Sequence, residues 1–166
     1  MQNNSTDDVV TSVSLTNPLS LTNPLHTYMT IALRNVMWYF YEYNKKYFGG
    51  IMPLPGFELL HTYCTLGYFS CQFDCYGNVC DPLIKMTDVY DYLPNQFTDI
   101  LMHEMIHYYL AYTHQDLQGS HEGAFLLLAA KFNIKYNMNI TPKVDIGEYR
   151  VGPKGSKIIY NIAKWF

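Results

Sequence analysis

The hydrophobic and polar positions predict one helix followed by a region of short strands. From Thr27 to Phe48 apolar residues recur at helical spacing, and Gly49 and Gly50 end the segment. Short runs rich in β-branched and aromatic side chains, which are typical of strands, follow at residues 57–63, 65–70 and 83–86. Tyr76-Gly77-Asn78 has the composition of a hairpin turn. This part of the chain therefore predicts a helix and a small sheet.

Two further helices are predicted in the second half of the chain. The first runs from about Gln96 to Tyr112, with Thr98 or Asn95 as its N-cap. The second begins at Ser120, a suitable N-cap, and runs to about Tyr136, and its run from Phe125 to Ala130 is interpreted as core. Residues 141–166 contain repeated Gly and Pro and predict turns with a short final helix or strand. The order of elements favours an α+β fold.

Residues 1–25 differ from the rest of the chain. The hexapeptide SLTNPL occurs twice in tandem, at 14–19 and 20–25, and its Asn-Pro steps favour turns and extended chain. We expect residues 1–25 to be a flexible leader and residues 26–166 to form one domain. A chain of 166 residues is long enough for a single domain with a substantial core.

Composition and charge exclude several classes of protein. Hydrophobic residues make up 49% of the chain and charged residues 15%, which excludes a mostly disordered protein. The net charge is −3, whereas a dedicated nucleic-acid binder usually has a basic balance. No apolar run approaches the roughly 18 residues of a membrane span, and the N-terminus lacks the features of a secretory signal. We expect a cytoplasmic protein with no membrane partner.

The cysteines give no sign of a second metal site. They lie at Cys64, Cys71, Cys75 and Cys80, without the paired CxxC spacing of a zinc ribbon. In a reducing compartment we expect them to be buried thiols.

The strongest chemical signal is His103-Glu104-Met105-Ile106-His107, an H-E-x-x-H motif within the most strongly predicted helix. One helical turn is about 3.6 residues, so His103 and His107 lie on one face and can bind one ion. Glu104 is offset by about 100° and can reach a metal-bound water without being a ligand. Zinc held by three protein groups lowers the pKa of its water towards roughly 7, and a carboxylate can then accept the proton.

Spacing alone leaves the third ligand open among four candidates, which are His61, His114, His121 and Glu122. His114 lies two turns beyond His107, roughly 10 Å along the axis, which is too far to share the ion. His121 follows a polar turn that can fold it back beside His107. Glu122 is the second choice, as a carboxylate from a following helix.

The same residues resemble the SprT-like family of zinc metallopeptidases. Residues 43–53, YNKKYFGGIMP, are similar to the end of that family's first helix, and Gly67-Tyr68-Phe69 and residues 84–87 continue the similarity. GSHEGAF, at 119–125, is similar to the G-H-G-x-x-F stretch that supplies the family's third histidine. The matches span about residues 27–136. The resemblance implies a zincin-like core, in which the H-E-x-x-H helix packs with a second helix and a small sheet.

The resemblance also implies the assignment of the site. Zn²⁺ would be held by His103, His107 and His121, and Glu104 would be the catalytic base. Protein or peptide would be the substrate, and DNA would be a partner through substrates attached to it. No cysteine follows Cys80, so we expect no C-terminal zinc ribbon. The expected activity is zinc-dependent peptide hydrolysis, and the alternative is a non-catalytic module that zinc stabilises.

Overall fold

The computed structural model describes residues 28–156 and has an α+β architecture. Its elements, in chain order, are β1 (Met29–Thr30), α1 (Leu33–Tyr47), β2 (Gly56–Leu60), β3 (Gly67–Phe73), β4 (Val79–Thr87), β5 (Tyr90–Tyr92), α2 (Pro94–Tyr112), α3 (Ala124–Tyr136), a 3-10 turn (Ile146–Glu148) and β6 (Arg150–Val151). The predicted leader, residues 1–25, lies outside the described residues.

The strands form two small sheets. In one, β4 lies between β2, which is parallel to it, and β3, which is antiparallel to it. The β3–β4 hairpin turns at Gly77, whose φ of +81° suits glycine, so the predicted turn is confirmed. In the other sheet, β5 pairs with both β1 and β6. The strands β1, β5 and β6 were not predicted. Each has only two or three residues, which is too short to show an alternation of hydrophobic and polar side chains.

Helix α2 runs through the centre of the molecule. Its buried side chains come from nearly every side of the helix, and it packs on β3, β4, α1 and α3. Tyr108 shows how this packing is satisfied: its ring stacks between Phe40 of α1 and Phe69 of β3, and its hydroxyl donates to the Pro53 carbonyl. An apolar helix surrounded by other elements holds its residues in fixed positions. The H-E-x-x-H motif therefore lies on a helix that is packed against both other helices and the sheet.

The predicted boundaries of the first helix need correction. Helix α1 begins at Leu33 rather than Thr27, because Met29 and Thr30 pair with β5 instead. Its end at Tyr47, before Gly49 and Gly50, is confirmed.

The predicted N-caps of the other two helices are wrong. Helix α2 begins at Pro94, where the Leu93 amide donates to Gln96 Oε1. Thr98 instead donates its hydroxyl to the Pro94 carbonyl. Helix α3 begins at Ala124 rather than Ser120, because Ser120 is held in the preceding loop by Asp116.

The cysteines also differ from expectation. Cys64 and Cys75 are exposed and Cys71 and Cys80 are half-buried, so they are not buried core thiols, although all are free. Cys64 lies in the loop between β2 and β3 and Cys75 in the β3–β4 turn, whereas Cys71 is on β3 and Cys80 on β4. Among residues 28–156, no helix is both long and apolar enough to cross a membrane.

Candidate metal centre and its cleft

Three histidine side chains converge on one point. The Nε2 atom of His103 lies 3.2 Å from that of His107 and 2.9 Å from that of His121. The third side of this triangle, between His107 and His121, is 3.0 Å. Two of the rings come from one face of α2 and the third from the loop before α3. The fold thus brings together all three histidines that the resemblance assigned to the metal.

Hydrogen bonding between the rings cannot account for this triangle. His103 Nδ1 lies 3.0 Å from the Thr141 carbonyl oxygen, which can only accept, so Nδ1 carries the proton and Nε2 presents a lone pair. His103 Nε2 could accept a hydrogen bond from the Nε2–H of His107 or of His121. If both rings carried that hydrogen, however, their two N–H groups would repel each other, because the two nitrogens are only 3.0 Å apart. A cation at the centre satisfies all three lone pairs at once.

The size of the triangle fits a small transition-metal ion. A tetrahedral zinc site with Zn–N bonds of 2.0–2.1 Å places its nitrogens about 3.3 Å apart. The observed separations of 2.9 to 3.2 Å are within a few tenths of an ångström of that value. Among the described residues, these histidines form the one cluster of His, Cys, Asp or Glu side chains with metal-ligand spacing. Three ligands leave a fourth position for water or substrate.

The two histidines on α2, His103 and His107, are held neutral, which is the form that binds a metal ion. Burial, and then the rings of His107 and His121, lower the pKa of His103 to about 3, although the Thr141 contact acts in the opposite direction. Burial and the His121 ring lower the pKa of His107 to about 4, against a smaller opposing effect of Asp116. Both rings therefore offer a lone pair at neutral pH without first losing a proton.

Packing beneath the rings fixes their orientation. The Phe125 ring, fully buried at the start of α3, has its centroid 4.7 Å from those of His103 and His107 and 5.0 Å from that of His121. Phe125 therefore forms an apolar floor for the site. His107 differs from His103 in that its Nδ1 is buried and has no hydrogen-bond partner among the described residues. The orientation of the His107 ring is therefore fixed by packing against Phe125 and not by a hydrogen bond to Nδ1.

The loop that carries His121 is organised by Asp116. This carboxylate accepts hydrogen bonds from the backbone amides of Gln118, Gly119 and Ser120 and from the Ser120 hydroxyl, at 2.8 to 3.1 Å. Burial raises the pKa of Asp116, but these hydrogen bonds outweigh it and lower the pKa below its ordinary value. The polar turn that the sequence indicated is thus a compact loop, closed by one ionised side chain.

Glu104 lies beside the histidines with a buried carboxyl group. The residue is 6% exposed, and burial raises its pKa to about 8 in the metal-free protein, against the opposing effect of the Phe69 backbone amide. A nearby cation favours the ionised form and would lower this pKa. Gly67 makes room for the group: a Cβ at that position would lie 2.6 Å from Glu104 Oε1. The start of β3 and the metal helix therefore fit together only with glycine at 67.

The histidines and Glu104 line a cavity of about 800 Å³. One wall is the edge strand β3, through Gly67, Tyr68 and Phe69, and the opposite wall is the segment from Thr141 to Tyr149. On its outer edge β3 has no strand partner among the described residues. Beyond the histidines and Glu104, the charged lining consists of Asp99, Asp145, Glu148 and Lys143, which gives a net negative wall. The cleft is open to solvent and includes the three histidines in its lining.

The other candidate ligands lie elsewhere. His61 contacts the buried Asp88 at 2.7 Å, outside the cleft. His114 ends α2 in a left-handed conformation with φ of +57°. Glu122 is exposed and is not part of the histidine cluster. Of the aromatic residues expected at the cleft, Tyr68 and Phe69 line it, whereas the Tyr63 hydroxyl donates to the Gly155 carbonyl.

Comparison with models of protein families, with curated proteins and with solved structures gives no match for this chain. The function must therefore be argued from the site itself.

Sequence reasoning missed residues that contact the site but are distant from it in the sequence. Phe125 matched the last residue of the G-H-G-x-x-F stretch but was otherwise interpreted as core, and its contact with the three histidines was not predicted. Thr141 and Gly67 carried no signal, because their contacts with His103 and Glu104 join segments 37 or more residues apart. Asp116 was recognisable in principle as an acidic residue that opens a Gly- and Ser-containing turn.

Proposed function

We propose that this protein is a zinc-dependent metallopeptidase with a zincin-like core. The observation that carries the proposal is the placement of three imidazole Nε2 atoms and the Glu104 carboxyl group on one wall of an open cleft. Three nitrogen ligands with a free fourth position are typical of catalytic rather than structural zinc. The packing of the H-E-x-x-H helix against a second helix and a small sheet supports the proposal of a zincin-like core.

The roles of the protein's own residues follow from their positions. His103, His107 and His121 would hold Zn²⁺, which supplies a water of lowered pKa and polarises a carbonyl group. Glu104 accepts the proton of the attacking water and passes it to the leaving amine. A cation beside Glu104 favours the ionised carboxylate that the first step needs, whereas burial of the side chain favours the protonated form that donates in the second step.

The cleft favours an extended peptide as substrate. The free edge of β3 offers backbone N–H and C=O groups that can pair with an added strand. The net negative wall formed with Asp99, Asp145 and Glu148 favours peptides with basic side chains. Action on DNA-associated proteins rests on the resemblance alone and stays a prediction.

The alternative is a binding module that zinc merely stabilises. A closed structural site has four protein ligands, so this function requires a fourth donor beside the histidines. Among the described residues no cysteine or carboxylate joins the cluster, and Glu122 lies outside it. We therefore place the alternative second.

The decisive experiment combines zinc analysis with peptide cleavage in the wild type and in Glu104→Gln. We expect one zinc per chain in both proteins, cleavage of unfolded casein by the wild type, and loss of at least about 10²-fold in the variant, the lower end for loss of a general base. Glu122→Gln is the matched control, because it makes the same change at the neighbouring exposed carboxylate and should keep both zinc and activity.

The outcomes separate the two functions. Zinc in both proteins with no difference in cleavage would favour the stabilised module. Loss of zinc in Glu122→Gln would show that Glu122 is a ligand and that the site is closed. Absence of zinc from the purified wild type, with no binding on addition of Zn²⁺, would overturn the proposal.

A further inference from the structure

The outer face of α3 is apolar although it is exposed. Leu127 is 76% exposed and Ile134 87%, and the exposed Ala130 lies between them. Spacings of three and four residues align these side chains along one side of the helix. We call Leu127, Ala130 and Ile134 the apolar stripe. The interpretation of Phe125 to Ala130 as a wholly core segment was therefore wrong for its outward-facing members.

A band of lysines borders this stripe. Lys131 and Lys135 lie one turn apart on α3, and Lys45 and Lys46 occupy the last turn of α1. The two helices meet at the Tyr47 and Tyr136 rings, whose centroids are 4.8 Å apart. Lys46 Nζ lies 4.8 Å from the Tyr47 ring and Lys135 Nζ lies 5.1 Å from the Tyr136 ring. Residues about ninety positions apart thus form one basic band.

Within the described residues, no carboxylate forms an ion pair with the lysines of this band. The ion pairs within residues 28–156 involve Lys85, Lys154 and His61, and none involves a lysine of the band. Helix α3 contains no acidic residue, and the one carboxylate on α1, Glu42, forms no ion pair with a described residue. In a protein of net charge −3, four lysines without an ion-pair partner in residues 28–156, on the two helices that meet at Tyr47 and Tyr136, are a marked local concentration.

We propose that the apolar stripe and the basic band together form a docking surface for a membrane containing anionic phospholipids. Such a membrane offers phosphate and carboxylate groups to the lysines, and just beneath them an apolar layer for Leu127 and Ile134. A nucleic acid satisfies only the lysines, since its phosphate backbone leaves an apolar stripe in water. A second protein chain with the same surface would bring like charges together. The lipid surface is the partner that complements both features.

Docking in this way leaves the metal centre accessible. Phe125 and Leu127 are separated by about 200° around the helix. Phe125 faces the three histidines, so the apolar stripe lies on the far side of α3 from the site. The absence of a spanning helix among the described residues does not bear on this mode, because the helix lies along the membrane surface.

The test is sedimentation of the full-length protein with vesicles of phosphatidylcholine alone and with added phosphatidylserine. We expect binding only with phosphatidylserine and weakening with salt. Lys131→Gln with Lys135→Gln should reduce the partition coefficient about 30-fold, and Leu127→Ser or Ile134→Ser about tenfold each. Arg34→Gln and Tyr76→Ser are the matched controls, because both residues are exposed at other places and should leave binding unchanged.

Each contrary result would identify a different partner or none. Failure to bind phosphatidylserine vesicles at low ionic strength would overturn the proposal. Salt-sensitive binding to a DNA duplex that needs the lysines but not Leu127 would assign the band to nucleic acid. A concentration-dependent dimer that Leu127→Ser dissociates, without vesicle binding, would assign the stripe to self-association. None of these outcomes depends on peptidase activity.

Discussion

Gly67 and Glu104 are in direct steric contact across the cleft wall. A Cβ at Gly67 would lie 2.6 Å from Glu104 Oε1, 2.9 Å from Glu104 Cγ and 3.0 Å from Ile100 Cγ2. The backbone of Gly67 is in an ordinary strand conformation, so glycine is required here by space and not by φ. The strand that we propose to bind substrate thus also sets the position of the proposed base.

Gly67→Ala should therefore act on catalysis rather than on metal binding. The added methyl group must displace the Glu104 carboxyl group, and a displacement near 1 Å can cost about 10²-fold in rate. We expect kcat for peptide cleavage to fall by about that factor while the zinc content stays at one per chain. Gly56→Ala is the control, because its Cβ meets only Leu83 Cδ1 at 3.1 Å and the Pro82 carbonyl at 3.7 Å, away from the cleft. Equal activity of the two variants would contradict the assignment of Glu104.

The proposed metal ligands that are close together in the sequence could be predicted from it, and the more distant one could not be predicted by spacing alone. His103 and His107 follow from the helical period alone. His121 needed the resemblance in addition, because the loop between α2 and α3, which Asp116 holds, decides where its side chain points. The support from Gly67, Thr141 and Phe125 depends on how sheet, helix and C-terminal segment pack, which no periodicity encodes. The same limit explains the basic band, whose members come from two helices that are distant in sequence.

Asp116→Asn should weaken zinc binding without unfolding the protein. The substitution places an NH₂ group opposite donors of Ser120 and so releases the loop that presents His121. Loss of such outer support typically costs 10- to 100-fold in metal affinity. Competition with a chelator measures this change. Asp74→Asn is the matched control, since Asp74 closes the β3–β4 turn by similar bonds to Tyr76 and Asn78. A similar loss of affinity in both variants would show that the effect is not specific to the His121 loop.

Asn133→Ala should loosen the segment that orients His103. The Asn133 side chain donates to the Ile140 carbonyl at 2.9 Å and accepts from the Ile140 amide at 2.8 Å, and Thr141 follows directly. Removing both bonds leaves two backbone groups unpaired and should lower the free energy of unfolding by about 2 kcal/mol. Zinc affinity should fall too, because the Thr141 carbonyl no longer holds His103 Nδ1. Asn139→Ala is the control, since that side chain makes no hydrogen bond to the described residues. An unchanged zinc affinity in Asn133→Ala would separate the segment from the metal centre.

Glu104 should make the metal-free protein less stable as the pH rises from about 4.5 towards 8. Burial raises its folded-state pKa to about 8 from an ordinary value of 4.5, so between these values the unfolded chain has released a proton that the folded chain still binds. Stability from this group is therefore full below about pH 4.5 and is lost as the pH rises towards 8. His103 and His107, with lowered pKa values, act in the opposite direction but only below their ordinary value of 6.5.

Between pH 6.5 and 8, the effect of Glu104 on the free energy of unfolding is therefore separated from the effects of His103 and His107. In urea unfolding of chelator-treated protein, we expect the wild type to lose stability across this window and Glu104→Gln to lose much less. Added Zn²⁺ should remove the difference, because a cation beside the carboxylate favours its ionised form. The same pH dependence in both metal-free proteins would show that the Glu104 carboxyl group is solvated, and would weaken its assignment as the buried proton carrier of the cleft.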